Sequence, residues 1–303
     1  LENDMRRILA YSIVNQVGFM IVGIGIGTEL SLNGAAAHAF THIIYKALLL
    51  MSAGSVLYMT GKRKCTDLGG LFQSMPLTAI CGIIGALAIS SFPLTSGFIS
   101  KSMISQAAAD QHLAMVWFLL VAASAGVFLH AGIKFPWFVF FQKDSGLRPP
   151  DPPLNMRLAM ILFAFLCIAL GAWPAPLYAL LPHPVDYVPY TYAHVVTMLQ
   201  LLLFSGLAFF IMLPYLKRTL TITLDWDWLY RWLAPRVIDQ ATRVVDRWHR
   251  HRSIDMLRHI GHFFGRLFLY HGPQGILART WATGSMVLWV VILLGIYLVA
   301  YYY

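Results

Sequence analysis

The chain has 303 residues, 58% of them hydrophobic and 12% charged, with a mean hydropathy of +0.66. Soluble globular domains carry about 25% charge, so these figures exclude a soluble domain and leave an integral membrane protein. The net charge of +9 lies mostly between Leu216 and Thr280, where eleven Lys and Arg face five Asp, while Cys65, Cys81 and Cys167 match neither a disulfide framework nor a metal spacing.

Crossing about 30 Å of hydrocarbon takes about 20 apolar residues. Runs of that kind are read at 8–28, 35–59, 75–92, 94–110, 113–141, 156–181, 195–216 and 281–303, giving seven or eight crossings because the fourth run is weak. No cleavable signal peptide precedes them. The opening "LENDMRRILAYS" begins on Leu and turns apolar almost at once, as expected for a fragment of a longer protein. The fold class is all-α: a polytopic membrane helix bundle with at least one interrupted helix, a C-terminal amphipathic helix and a terminal anchor. The corresponding divisions are 1–216 for the bundle, 217–280 for a basic amphipathic surface segment and 281–303 for the last crossing.

The second run contains "HAFTHIIYKALLL", which sets His38, His42 and Lys46 four residues apart. At 100° per residue the three share an arc of about 80°, one stripe climbing about 6 Å per step. A lysine at the bilayer centre costs about 2.5–3.5 kcal/mol on insertion scales, so Lys46 is expected to face the bundle interior and a partner or water. Histidine titrates near neutral pH, and a desolvated lysine can lose its proton. Three such groups at hydrogen-bond or single-water spacing suit a proton path, and the competing reading is a buried polar cluster that pins helices together.

The third run spaces Gly82, Ala86 and Ser90 by four, a small-residue seam for helix packing. The fourth follows the Phe92-Pro93 break in "SSFPLTSGFISKSM" and carries Lys101. A broken helix is tolerated at membrane depth only where protein or a wet cavity satisfies the freed backbone, so this segment is expected inside the protein. Lys101 is then either a relay group or a lysine snorkelling to the interface. His130 and Lys134, four apart in "GVFLHAGIKFPWF", form a third pair with the same two readings.

The connectors "TGKRKCTDLGG", "QKDSGLRPPDPPLNMR" and "LPHPVDYVPYTY" are loop-like, and the last supplies Tyr187, Tyr190 and Tyr192 to an interfacial belt. Residues 225–270 place Val237, Ala241, Val244, Val245 and Trp248 at helical spacing with Arg243, Arg247 and Arg250 between, the pattern of a helix lying along a membrane surface or a neighbouring subunit. The His259 and His262 pair has no cysteine or carboxylate at ligand spacing, and no metal site is expected. Nothing resembles a P-loop, a dinucleotide fingerprint or a nucleophile with its base, so neither a cofactor nor a covalent catalytic residue is expected. Counting loop charges gives five Lys and Arg on one side and fourteen on the other, which makes the side bearing the basic tail cytoplasmic. Within membrane depth the run of lysines meets no carboxylate, so either the lysines are mostly neutral or acids arrive from upstream sequence or another subunit.

"NDMRRILAYSIVNQVGFM", "HAFTHIIYKALLLMSAGSV" and "MPLTAICGIIGALAISSFPLTSGFISKSMI" resemble consecutive blocks of the antiporter-like proton-channel family, over about residues 3 to 105. That family includes the D subunit of Mrp-type multisubunit Na+/H+ antiporters and the antiporter-like subunits of complex I and membrane-bound hydrogenases. "GVFLHAGIKFPWFVFFQKDSG" and "LDWDWLYRWL" look most like the Mrp D branch. The resemblance implies that His38, His42 and Lys46 belong to a central polar axis moving protons. It also implies that Lys101, on a broken helix, stands at the exit of a half-channel, and that an earlier repeat upstream of Leu1 supplies a Glu and another Lys. The amphipathic tail and last span are similar in plan to the lateral helix and anchor of the longest complex I member, though much shorter.

The function expected is a proton-translocating subunit of a monovalent cation (Na+)/proton antiporter, with relay residues His38, His42, Lys46, Lys101, His130 and Lys134. Expected partners are other membrane subunits of one complex, protons with Na+ or K+, and the bilayer, with no nucleic acid. The location expected is a bacterial inner membrane. The alternative is a proton-pumping or structural membrane subunit of a complex I-like or hydrogenase-type redox complex.

Overall fold

The computed structural model describes residues 3–214, 233–248, 261–262, 265–266, 290–293 and 296. The chain divides into two compact units, Leu1–Thr223 and Leu224–Tyr303. The protein is an integral, multi-pass helical membrane protein, and among the described residues there is no strand beyond an isolated bridge between Asp4 and Lys64.

Helix α1, Met5–Ile26, starts where the Asp4 carboxylate accepts the Arg6 and Arg7 backbone N–H groups. It stops at Gly27, whose φ of 77° suits glycine. Thr28 and Ser31 then form a capping box that opens α2, Glu29–Thr60, so α1 and α2 are antiparallel neighbours. At 1.5 Å per residue α2 is about 48 Å long, longer than the hydrocarbon slab. It is the central post of the bundle, packed against α1 and against the three helices introduced next as α3, α4 and α6.

Helix α3, Pro76–Ile89, begins with a proline at its first turn. A distant loop caps it: the Asp151 carboxylate accepts the Leu77 and Thr78 N–H groups and the Thr78 hydroxyl. After six residues in which Ser91 and Leu94 have positive φ, the chain resumes as α4, Ser96–Asp110. The two halves follow α2 in the reverse direction. Ser52 of α2 meets Thr78, Leu48 and Leu49 meet Gly85, Tyr45 meets Gly97, His38 and Thr41 meet Ser100, and Gly34 meets Ile104. The runs expected at 75–92 and 94–110 are therefore two short halves of one interrupted element, each about 21–23 Å long. Gly97 makes the junction possible, since a Cβ there would collide with the Ala88 carbonyl oxygen.

Helix α5, Ala114–Phe141, contains π-helical stretches at Phe128–Ile133 and Trp137–Phe141. It packs on the small-residue seam of α3: Gly82 faces Phe135 and Phe140, and Gly132 faces the Ser90 hydroxyl. Helix α6, Leu154–Ala172, is shorter than the expected run 156–181, because Pro174 and Pro176 interrupt it and leave Ala175–Tyr178 as a separate turn. Helix α7, Tyr192–Met212, completes the first unit's described helices. Among the described residues five helices, α1, α2, α5, α6 and α7, are long and apolar enough to cross a membrane, with α3 a shorter apolar helix beside them.

In the second unit, helix α8, Ala234–Trp248, exposes Val237 and Ile238 beside Arg236 and Arg243. Most of the expected terminal crossing at 281–303, all but residues 290–293 and 296, and most of the expected amphipathic segment, including His259, lie outside the described residues.

Candidate functional site

Residues three, four and seven apart on α2 share its inward face. His38, Thr41, His42, Tyr45 and Lys46 are all buried there, His38 at 0% and Lys46 at 4% exposure. Lys101 on α4 is 1% exposed, so it does not snorkel, and the stripe on α2 and the residue after the break face one another across the bundle core.

The bonds around His38 define its role. Tyr45 donates its hydroxyl proton to Gln16 Oε1 on α1 at 2.8 Å, which leaves the Tyr45 oxygen as acceptor toward His38 Nε2 at 3.4 Å. Donor bookkeeping then puts the His38 proton on Nε2 and makes Nδ1 the acceptor for the Ser100 hydroxyl at 2.9 Å. Thr41 Oγ1 lies 3.1 Å from Ser100 Oγ and also donates to Ala37 O. Gln16 in turn donates to Asn15 at 2.9 Å. One imidazole thus joins α1, α2 and α4.

His42 stacks beside His38 with ring centroids 6.2 Å apart and meets Tyr45 edge-on at 5.4 Å. Its Nε2 is buried and has no hydrogen-bond partner. An unsatisfied buried polar atom costs about 1–3 kcal/mol, which a fold tolerates where the atom has work to do.

The two lysines flank the imidazoles. Lys46 Nζ donates to Ser12 Oγ on α1, and Ser12 sends its own proton to Leu9 O at 2.8 Å. Lys101 Nζ donates to Ile89 O at 2.7 Å, at the end of α3, and sits 5.0 Å over the Phe19 ring, which leans on His38 with centroids 5.8 Å apart. Neither lysine has an ion-pair partner among the described residues, and no cluster there fits a metal. The oxygens that hold them are a hydroxyl and a carbonyl, which are neutral. The structure therefore buries His38, His42, Lys46 and Lys101 in one region, and no hydrogen bond described above joins any two of them: His38 bonds Tyr45 on its own helix and Ser100 on α4, His42 meets His38 and Tyr45 through its ring, and Lys46 bonds Ser12 on α1. His130 and Lys134 lie on α5, half-buried and buried respectively, where α5 packs on α1 and α3. None of the bonds just described reaches them.

Sequence reasoning missed Ser12, Gln16, Tyr45 and Ser100. A signal was present: Ser12 and Gln16 are four apart within an apolar helix, and Tyr45 is seven residues after His38 on the same face.

At the rim the charges behave differently. Arg148 grips Asp144 through two bonds, at 2.9 and 2.5 Å. The Arg148 guanidinium and the Gly146 N–H hold the Asp144 carboxyl down at about 2, and the same contact raises Arg148. Arg63 pairs with Asp4 at 3.3 Å.

Residues 1–129 match the family described as NADH:quinone oxidoreductase/Mrp antiporter, TM. A Rhizobium meliloti protein described as a probable K+/H+ antiporter component of the A/B type is 33% identical over 181 residues, covering 57% of this chain and 18% of that protein. The L component of the F420H2 dehydrogenase of Methanosarcina mazei is 31% identical over 186 residues, covering 56% of this chain and 27% of its own length. NADH-ubiquinone oxidoreductase chain 5 of Dictyostelium discoideum is 33% identical over 184 residues, covering 56% and 26%. The chain thus spans about a fifth to a quarter of the length of these relatives. Among solved structures, the Mrp complex from Dietzia sp. superimposes with a TM-score of 0.53 at 20% identity, covering 58% of this chain and 41% of that one. A membrane-bound sulfane sulfur reductase, an archaeal respiratory membrane complex, gives 0.59 at 23% identity, covering 99% and 53%. At these identities the two structures share the fold.

Proposed function

We propose, from the chain's membership in the antiporter-like subunit family that its first 129 residues match, that it is a proton-translocating part of a multisubunit membrane complex exchanging protons for a monovalent cation, Na+ or K+. The proton path runs from Lys46 past His42 to His38, through Ser100, to Lys101 at the helix break. The observation that carries this reading is the pair of buried lysines held only by neutral oxygens on either side of two imidazoles. A lysine paired with a carboxylate would be locked in its charged form, whereas one held by a hydroxyl or a carbonyl can give up its proton without stranding a buried counter-ion. His42, with one ring nitrogen unpartnered, is the group that a reorienting water or Lys46 can address. His130 and Lys134 extend the path along α5 in this reading. The complex resides in a bacterial inner membrane with the basic tail cytoplasmic, and an acid that the axis lacks among the described residues comes from elsewhere in the complex.

Lys46→Ala in the complete protein, reconstituted in vesicles, is expected to lower proton-coupled transport at least tenfold, and undiminished transport refutes the proposal. A second reading, a proton-pumping subunit of a redox complex, is supported by the likeness to the F420H2 dehydrogenase and NADH-ubiquinone oxidoreductase components. It uses the same residues and differs in partners. Co-purification of the complete protein with redox subunits, and proton movement that requires their electron donor, would favour it.

A further inference from the structure

A helix leaves its last four carbonyls without intrahelical donors, and inside a membrane each needs another partner. At the end of α3 the backbone itself nearly supplies them all. Ala86 O accepts from Ser90 N–H at 3.3 Å, Leu87 O from Phe92 N–H at 3.0 Å, and Ala88 O from Ser91 N–H at 3.2 Å. Ile89 O is bonded instead by the Lys101 ammonium. Ser91, two residues on, is fully buried, has φ of 62°, and its hydroxyl has no hydrogen-bond partner. A carbonyl at the negative end of a helix dipole and an unused buried hydroxyl two residues away are both hard oxygen ligands.

We infer that the α3–α4 break is a monovalent-cation site, in which Ile89 O holds either the Lys101 ammonium or, together with Ser91 Oγ, a partly dehydrated Na+ or K+, never both. When Lys101 gives up its proton, Ile89 O loses its positive partner, two residues from an already unsatisfied hydroxyl. An alkali cation with water completing its shell then replaces the lost charge. Unwound backbone and half-helix C-terminal ends are suited to this task at membrane depth. The exclusion supplies the coupling that an antiporter needs, because loading the cation requires that the proton has left. This inference rests on the proton-relay reading above and adds the second ion to it. The titratable groups that share the field of Lys101 are His38, His42 and Lys46 from α2; elsewhere on α4, Cys167 of α6 lies against Ser96 and His194 of α7 beside Phe98. The contact from α1 is the Phe19 ring.

The test is equilibrium binding of radioactive Na+, and separately of K+, to the complete protein in choline buffer between pH 6 and pH 9. Competition predicts that the apparent Kd falls at least about tenfold over that range. Lys101→Gln is expected to flatten the dependence to less than about threefold. Ser91→Gly is expected to raise Kd at pH 9 at least about tenfold, and glycine accepts the positive φ, so this variant removes the hydroxyl without straining the turn. A Kd that is independent of pH, a dependence that survives Lys101→Gln, or an unchanged Kd in Ser91→Gly overturns the inference. Na+-driven proton uptake by vesicles carrying Lys46→Ala separates the two ideas. If uptake is lost while Na+ binding ignores Ser91→Gly, only the cation site fails; if uptake is intact, the relay reading fails.

Discussion

The rim and the axis of this bundle treat charge in opposite ways. At the rim Asp144 takes two bonds from Arg148 and Asp4 pairs with Arg63, while the Asp151 carboxylate caps α3. In the axis Lys46 and Lys101 rest on Ser12 and on the Ile89 carbonyl, with no acid beside them among the described residues. An ion pair fixes two protonation states at once; a neutral oxygen donor set fixes none. The rim keeps its charges, and in the relay proposed here the axis lets them change, at a burial cost of several kcal/mol per lysine that a purely structural core would avoid.

Substitutions at four positions sharpen that contrast. Ser12→Asp imports the rim's chemistry into the axis. A carboxylate in hydrogen-bond reach pairs with the charged lysine and would hold its proton there, so proton-coupled transport in vesicles should fall at least about tenfold, whereas Ser12→Ala should cost about threefold or less. Transport by Ser12→Asp at the parental rate would erase the distinction. Tyr45→Phe removes the hydroxyl that joins His38 to Gln16 while keeping the ring buried. Transport is expected to drop about three- to tenfold, with thermal stability lowered by about 1 kcal/mol.

Gly97→Ala acts on the junction rather than on a proton. The new Cβ meets the Ala88 carbonyl, α3 and α4 must separate, and overpacking of this kind costs about 1–3 kcal/mol, read as a lower Tm. Asp144→Asn should do least: transport between pH 6 and 9 stays at the parental level. Because the folded carboxyl is held down at about 2, whatever its pair with Arg148 contributes is present above about pH 4, the ordinary carboxylate range, and is lost as pH falls toward 2. An exposed pair of this kind contributes little, and a pH-dependent transport change near neutrality in this variant would contradict the assignment of the rim.

What the sequence makes legible follows the same division. His38, His42, Lys46 and Lys101 stand out because ionisable side chains in apolar runs are costly and rare, and the break stands out because Phe92-Pro93 interrupts a hydropathy signal. Ser12, Gln16, Tyr45 and Ser100 do not, because neutral polar residues are common in membrane helices and their pairing is decided by neighbours far away in the chain, 29 residues for Tyr45 with Gln16 and 62 for His38 with Ser100. The Asp151 cap on α3, 73 residues from Thr78, is hidden for the same reason. The π-helical stretches of α5 leave no periodicity to read, and α3 and α4 look like two runs because their alignment along α2 is a tertiary fact.

The axis works, on this view, because its charges can be given up. Lys46→Arg in the complete protein tests this most directly, since arginine keeps a positive charge near the same place and does not lose its proton. Measured as proton-coupled transport in vesicles, the expected result is a loss of at least about tenfold, as large as for Lys46→Ala. Transport by Lys46→Arg at the parental rate would contradict it.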